Sequence, residues 1–375
     1  MKRVNLLKWI VLPISLIAIV GCGDSKVKYT IEGKLADETF EGANVYLFNA
    51  ENELEDLDTT VIVNGTFTFK GELDNPIVAT VCALKSETEV KVIECVLENG
   101  TILIDFDKRQ VLGTPQNESF TQMLLAGKEE SDAISELYKY MSTSSGEELD
   151  ILKAKYDSLY HIRKDKALAA YEKTYKENTD NIVGAYAFYC LIGTKSNLKD
   201  ITASQVDSML VGATPIVSNF SLTVKVLDGL RKFENTSVGK QYTDLELLEG
   251  AELSATKLSQ HINGKVALID FWASWCAPCC EEIPNIAEMH KKYADKGLVV
   301  IGLNVWDKPE AQQKAIETMN MTWLQLADTT RVETAADIYG INGIPQIMLI
   351  GKDGVILARD LRGDAIEAAI IDALK

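Results

Sequence analysis

Residues 26 to about 115 alternate apolar and polar positions in short runs. "VKYTIEGKL", "NVYLFNA", "TTVIVNGTFTFKG", "IVATVCAL", "EVKVIECVL" and "TILIDF" are rich in Val, Ile, Thr and Phe, residue types that fit a pleated, half-buried surface. Asn64-Gly65, between Val63 and Thr66, is a two-residue hairpin signal, because both central positions of such a turn take positive φ. Strands this short and this closely spaced predict a sandwich. No histidine and no cluster of catalytic side chains falls within them.

From about 117 to 235 the period lengthens to that of a helix. "FTQMLLAGKEESDAISELYKYM" and "EELDILKAKYDSLYHIRKDKALAAYEKTYKEN" place apolar residues three and four apart with charged faces between. Ser145-Gly146 punctuates them. "IVGAYAFYCLIG" is apolar enough for a buried helix, and "SNFSLTVKVLDGLRKF" predicts another. The stripe Leu152, Tyr156, Leu159 is read as packing within the chain, with a partner-binding face as the alternative.

Beyond "ENTSVGKQYTD" strands and helices alternate. "KVALIDF" predicts a buried strand, followed by "WASWCAPCCEEIP" and a helix through "EMHKKYADKG". "LVVIGLNV" predicts a second apolar strand, and Pro309 to Met319 a helix with proline near its start. "TWLQLAD", a short helix around Ala335 to Tyr339, and "GIPQIMLI" follow. Asp353-Gly354 predicts a hairpin into "VILAR". Asp364 opens the last helix, with Glu367 three residues on as a capping-box partner. This order indicates an α/β domain.

The N-terminus is different. Lys2, Arg3 and Lys8 precede the apolar run "IVLPISLIAIV", and Gly21-Cys22 follows, which is the plan of a secretory signal. The run is short for a bilayer span. Ile19-Val20-Gly21-Cys22 resembles a bacterial lipobox, with Ile19 in place of the commoner Leu. That resemblance implies cleavage before Cys22, its acylation, and anchoring in the cell envelope, facing the periplasm and outside the reducing cytosol. The expected organisation over 375 residues is therefore a lipoprotein signal peptide (1–21), an all-β sandwich-like domain (22–116), an α-helical region (117–235) and an α/β domain (236–375).

A formal net charge of −17, with no basic run beyond the leader, argues against nucleic-acid partners. Candidate chemistry concentrates at Cys276-Ala277-Pro278-Cys279. The motif follows a buried strand and opens a helix, so Cys276 sits where free N–H groups and the macrodipole favour a thiolate. Cys279, one turn in, is shielded and placed to resolve a mixed disulfide. Pro278 fixes the helix start. A structural zinc site wants a second pair of ligands; there is no second CxxC, and His161, His261 and His290 stand in no paired spacing. No metal is expected, and no cofactor beyond the dithiol.

These residues resemble thioredoxin-fold proteins of the TlpA/ResA type. The hallmark stands at Phe271 to Cys279, the cis-proline loop at Gly343-Ile344-Pro345, and the subfamily's helix-and-strand insertion at Trp306 to Thr329. The β region and helical stretch ahead of them resemble the uncharacterised N-terminal module of envelope lipoproteins that carry such domains. The resemblance implies a thioredoxin fold and a thiol–disulfide oxidoreductase in which Cys276 is the nucleophile and Cys279 the resolving thiol. Trp275, Ala277, Pro278, Ile344 and Pro345 would face the client, the Ile344 backbone pairing with an extended chain. It implies a reductant acting on oxidised envelope proteins or apocytochrome c, re-reduced by a membrane electron donor.

Two carboxylates match family positions for a proton relay: Asp270, six before the first cysteine, and Glu282, three after the second. Each has a plainer reading, Asp270 as a structural acid and Glu282 as an exposed helix carboxylate. Cys280, where a basic residue is common, is read as a bystander. A thiol peroxidase of this fold carries Thr at the position of Ala273, which makes that activity the runner-up. A partner-binding lipoprotein with an accessory redox domain is the other class. Cys82 and Cys95 are either a disulfide on paired strands or two half-buried thiols, and Cys190 is core.

Overall fold

A computed structural model describes residues 26–86, 88–250, 253–328 and 334–375. The leader and Cys22 lie outside the described residues. The chain divides into two compact units, 1–118 and 119–375.

In the first unit the alternating runs form strands β1 (Val27–Lys34), β2 (Asn44–Asn49), β3 (Asn52–Val61), β4 (Thr66–Leu73), β5 (Ile77–Ser86), β6 (Glu89–Leu97), β7 (Gly100–Asp105) and β8 (Gln110–Leu112). They make two sheets, ordered β4-β1-β7-β8 and β3-β2-β5-β6. One core is shared between Ile31, Phe69 and Ile102 of the first sheet and Val45, Leu47 and Val81 of the second. Asn64 (φ 52°) and Gly65 (φ 67°) make the β3–β4 turn, and the Glu41 carboxylate accepts from both of their N–H groups, at 2.8 and 3.1 Å. The β1–β7 pair is parallel within an otherwise antiparallel set, a pairing that no hairpin signal announces. Cys82 stands opposite Val92 and Cys95 opposite Ala79. Three rungs apart and on opposite faces, the two sulfurs do not meet, and both thiols are free.

The second unit begins with helices. After α1 (Pro115–Leu124), which spans the boundary, come α2 (Lys128–Met141), α3 (Gly146–Glu177), α4 (Ile182–Asn197), α5 (Ala203–Leu210), α6 (Pro215–Ser218) and α7 (Ser221–Asn235). Helix α4, apolar all round, is buried along Ile182–Phe188. Its N-cap Asn181 accepts from the N–H groups of Val183 and Gly184. Tyr156 of the α3 stripe packs edge-on against Tyr138 of α2, ring centroids 5.4 Å apart, so that position is used inside the chain. Among the described residues no helix is long and apolar enough to cross a membrane.

The α/β part follows as β9 (Glu246–Glu249), β10 (Ser254–Lys257), α8 (Leu258–Ile262), β11 (Val266–Trp272), α9 (Ala277–Tyr293), β12 (Leu298–Asn304), α10 (Pro309–Thr318), β13 (Leu324–Asp328), α11 (Ala335–Ile338), β14 (Gln346–Ile350), β15 (Ile356–Ala358) and α12 (Asp364–Ala373). Its sheet runs β10-β9-β13-β12-β11-β14-β15, a thioredoxin-like α/β arrangement with β11 to β13 parallel and β14 antiparallel to β11. Every residue of β11 is buried. Val266, Leu268 and Trp272 point into the core beneath α9, while Ala267, Ile269 and Phe271 point into the core on the other face. The expected capping box at α12 is not formed: its N-cap is Gly363. Glu367 instead accepts from Lys292 and, at 2.7 Å, from the Tyr293 hydroxyl, tying α12 to α9.

Helix α7 is fastened to the α/β part by Arg359. Its guanidinium donates to the carbonyls of Thr236 (2.8 Å) and Tyr339 (3.0 Å) and lies 4.4 Å from the Phe233 ring centroid. Gly340 (φ 58°) lets the backbones close up, since a Cβ there would stand 2.5 Å from Phe233 N and 2.7 Å from Gly229 O. Removing the guanidinium leaves the carbonyl of buried Thr236 without its side-chain donor, while that of Tyr339 keeps only the Thr236 hydroxyl at 3.2 Å. Arg359→Met is expected to cost on the order of 3 kcal/mol in urea unfolding, and an unchanged midpoint would contradict this account of the junction.

Candidate functional site

The site grows from the end of β11. Residues up to Trp272 are held in the sheet, and the chain then turns through Ala273 to Trp275 and enters α9 with Cys276 as N-cap. The Cys279 N–H lies 3.2 Å from Cys276 Sγ, so the first sulfur occupies the place of an N-cap oxygen, in the positive field of the helix end. Cys276 and Cys279 are joined as a disulfide with Cα atoms 5.2 Å apart. Cys276 is 4% exposed and Cys279 fully buried, so the disulfide is almost wholly shielded from solvent. Ala277 and Pro278 are exposed beside it.

The loop is clamped from the β12–α10 connection. Asp307 accepts from Ser274 N–H at 2.6 Å and from the Asn304 amide at 3.2 Å. Trp275 Nε1 donates to the Trp306 carbonyl at 3.0 Å. Both tryptophans are exposed, Trp275 by 60% and Trp306 by 43%, and Trp275 directly precedes Cys276. Burial raises the Asp307 carboxyl, but its hydrogen bonds, led by Ser274, outweigh this and hold it below the ordinary carboxylate range.

On the other side stands the Ile344–Pro345 peptide, which is cis. The register of β14, with Gln346 opposite Phe271, carries Pro345 to the end of β11. Ile344 packs against the core cluster that contains both cysteines. Arg362 donates to the Pro345 carbonyl and, at 2.6 Å, to that of Leu361.

Asp270 shares its face of β11 with Val266, Leu268 and Trp272, the face that packs beneath α9. It is fully buried, and neither carboxylate oxygen has a hydrogen-bond partner among the described residues. Burial pushes its carboxyl up to about 7, the Arg362 charge pulling the other way and the Glu282 charge adding to the rise. Glu282 is half-buried and accepts from the Gly363 N–H at 3.2 Å and from Asn285 at 3.4 Å. Asp270 thus feels both the Glu282 carboxylate and the Arg362 guanidinium. Cys280 lies half-buried with its Sγ 3.8 Å from the Ser274 carbonyl, and burial raises its thiol.

The structure therefore gathers Asp270, Trp275, Cys276 to Cys279, Glu282, Ile344 and Pro345 in one neighbourhood. Asp307, Trp306 and Arg362 were not anticipated. An acid just before "KPE" at a helix start was a signal for Asp307; Arg362 reaches Pro345 across the sheet and has no local one. Among the described residues no group of His, Cys, Asp or Glu is arranged to hold a metal ion.

Residues 238–359 match the AhpC/TSA family, and residues 29–120 match the Domain of unknown function (DUF4369). The thioredoxin-like protein YneN of Bacillus subtilis is 35% identical over 121 residues, 32% of this chain and 68% of that protein. The thiol-disulfide oxidoreductase ResA of Geobacillus thermodenitrificans is 30% identical over 122 residues, 32% of this chain and 67% of that protein. Among solved structures, the thioredoxin domain of a thiol-disulfide oxidoreductase from Bacteroides vulgatus is 26% identical, with a TM-score of 0.35, and the match covers 37% of this chain and 99% of that one.

The buried acid has a thermodynamic signature. A carboxyl at about 7 when folded and near 4 when unfolded keeps a proton in the native state that the unfolded chain releases. Its neutral form is accommodated at low pH, and stability is lost as pH rises through the folded value. Asp270→Asn stays neutral, so its stability relative to wild type should climb between about pH 4 and 7, by a few kcal/mol in all. Denaturant unfolding across that range measures this; a pH-independent difference would remove Asp270 from the account.

Proposed function

The chain belongs to the thioredoxin-like thiol–disulfide oxidoreductases, and we propose that it reduces disulfides of envelope proteins through Cys276 and Cys279 while tethered by an acylated Cys22. The observation that carries the reading is a dithiol at a helix N-terminus, beneath which a fully buried Asp270 has no hydrogen-bond partner among the described residues.

A Cys276 thiolate, favoured by the α9 N-terminus, attacks one sulfur of a client disulfide. That bond breaks, the distal client sulfur leaves as a thiolate, and a mixed disulfide forms. Cys279, once deprotonated, attacks Cys276 Sγ and releases the second client thiolate. Two electrons have then passed to the client, and the chain holds the Cys276–Cys279 disulfide. A membrane dithiol donor closes the cycle. Asp270, with its carboxyl near neutrality, takes the Cys279 proton, and the Glu282 charge tunes that acid. Trp275, Ala277 and Pro278 border the attacked bond, and the Ile344 backbone pairs with an extended client next to Pro345. The reducing direction and the choice of envelope clients, apocytochrome c among them, follow the TlpA/ResA resemblance. Ala273 is buried and carries no hydroxyl to assist a peroxide, which disfavours the thiol-peroxidase reading.

Cys276→Ser is expected to abolish insulin reduction, whereas Cys280→Ser keeps most of it. Asp270→Asn and Glu282→Gln should each slow stopped-flow disulfide exchange above pH 6 without unfolding the chain. An equally dead Cys280→Ser variant, or rate profiles superimposable on wild type for both acid variants, would dismantle these roles.

Anchoring has its own check. Mass spectrometry of the mature protein should find Cys22 at the N-terminus carrying acyl chains, and Cys22→Ala should block that processing. An unmodified mature terminus downstream of Cys22 would exclude the tether.

A further inference from the structure

A cavity of about 430 Å³ lies within the second unit, between the helical region and the α/β part. Its walls come from Lys199 and Ile201 after α4, from Gly229 and Phe233 of α7, and from Asn342 and Gly343. The last two lead directly into the cis-proline loop. The volume is in the range of sites that enclose a ligand group. We propose that this cavity receives a stretch of an oxidised protein client flanking the attacked cysteine, an inference that rests on the oxidoreductase function proposed above.

Position comes first. Gly343 precedes Ile344, whose backbone would pair with the client. A chain paired along this loop is therefore continuous with the cavity wall at Asn342 and Gly343.

The chemistry of the walls suits a polypeptide. Lys199 and Arg359 are balanced by Asp360 and Glu234, and Lys199 is ion-paired with Asp360. A wall with no net charge does not select a free anion. Phe233 and Ile201 offer apolar contact for a client side chain.

Gly229 is the third observation. A glycine inside a helix costs about 1 kcal/mol relative to alanine. At Gly340 a close approach explains the residue. At Gly229 a Cβ would meet no atom within 4 Å, and the backbone is not left-handed. Neither packing nor strain requires glycine there. What its absent side chain preserves is open volume in the cavity wall.

The test compares Gly229→Phe with Gly229→Ala in the full chain, using insulin as protein disulfide and oxidised glutathione as small disulfide. Gly229→Ala should raise the melting temperature and lower kcat/KM for insulin by less than Gly229→Phe does, with oxidised glutathione unaffected. Gly229→Phe should lower kcat/KM for insulin about ten-fold, chiefly through KM, with oxidised glutathione unaffected. Asn197→Trp, at the exposed C-terminal end of α4 on the same wall, repeats the blockade should Gly229→Phe not fold. Unchanged insulin kinetics in a folded filled variant overturns the proposal. So does an equal loss on both disulfides, which would place the effect at the dithiol. A wild-type chain that reduces neither substrate overturns the functional reading itself, and the proposal falls with it.

Discussion

The α/β part depends on burying strand β11 on both faces. A central strand paired with parallel β12 along its whole length and with antiparallel β14 from Ala267 to Phe271 has its direction and register fixed. Whatever follows its last residue inherits that rigidity. Cys276 needs no flexible loop to find its place, because a short turn carries it from a fixed strand to the start of a fixed helix. The cost of such a strand is that any charge on it loses its hydration. Asp270 bears that cost, and the consequence is an acid poised near neutrality rather than one ionised throughout the physiological range.

Around this axis the site is assembled from distant stretches. Asp307 and Trp306 hold the turn from one side, and Arg362 holds the cis-proline carbonyl from the other. Glu282 joins α9 to the start of α12 through Gly363, and Glu367 joins them again through Tyr293. The helical region is part of the same assembly: Arg359 satisfies carbonyls at the end of α7 and in the segment that leads to the cis-proline. Burial of a single guanidinium thus couples the helices to the loop along which a client would lie.

Much of this was legible in the chain. Period-two runs, the Asn64-Gly65 turn, the all-apolar 182–193 segment and the strand–CxxC–helix order are local signals, and each reports a local cause. The β9–β10 hairpin was not legible, since strands of four residues are too short to establish a period. The parallel β1–β7 pairing and the Arg362–Pro345 contact join residues far apart in sequence, and no window contains both partners. Glu367 shows the opposite failure: its spacing from Asp364 fits a cap, but Lys292 and Tyr293 offer a better use of the carboxylate. For the dithiol, the two sulfurs and both acids stand in the chain itself; the burial of Asp270, with no hydrogen-bond partner among the described residues, depends on packing that no local window contains.

A chain that exchanges disulfides is, in principle, a substrate for itself and for its copies. Cys95 sits wholly inside the β core, its thiol pushed up to about 12 by burial, so at any ordinary pH almost none of it is the thiolate that exchange requires. Cys82, raised in the same direction, faces away from it. Burial thus withholds Cys95 from exchange and makes Cys82 a poorer thiolate, so an oxidised active site has less opportunity to pass its disulfide into that part of its own chain.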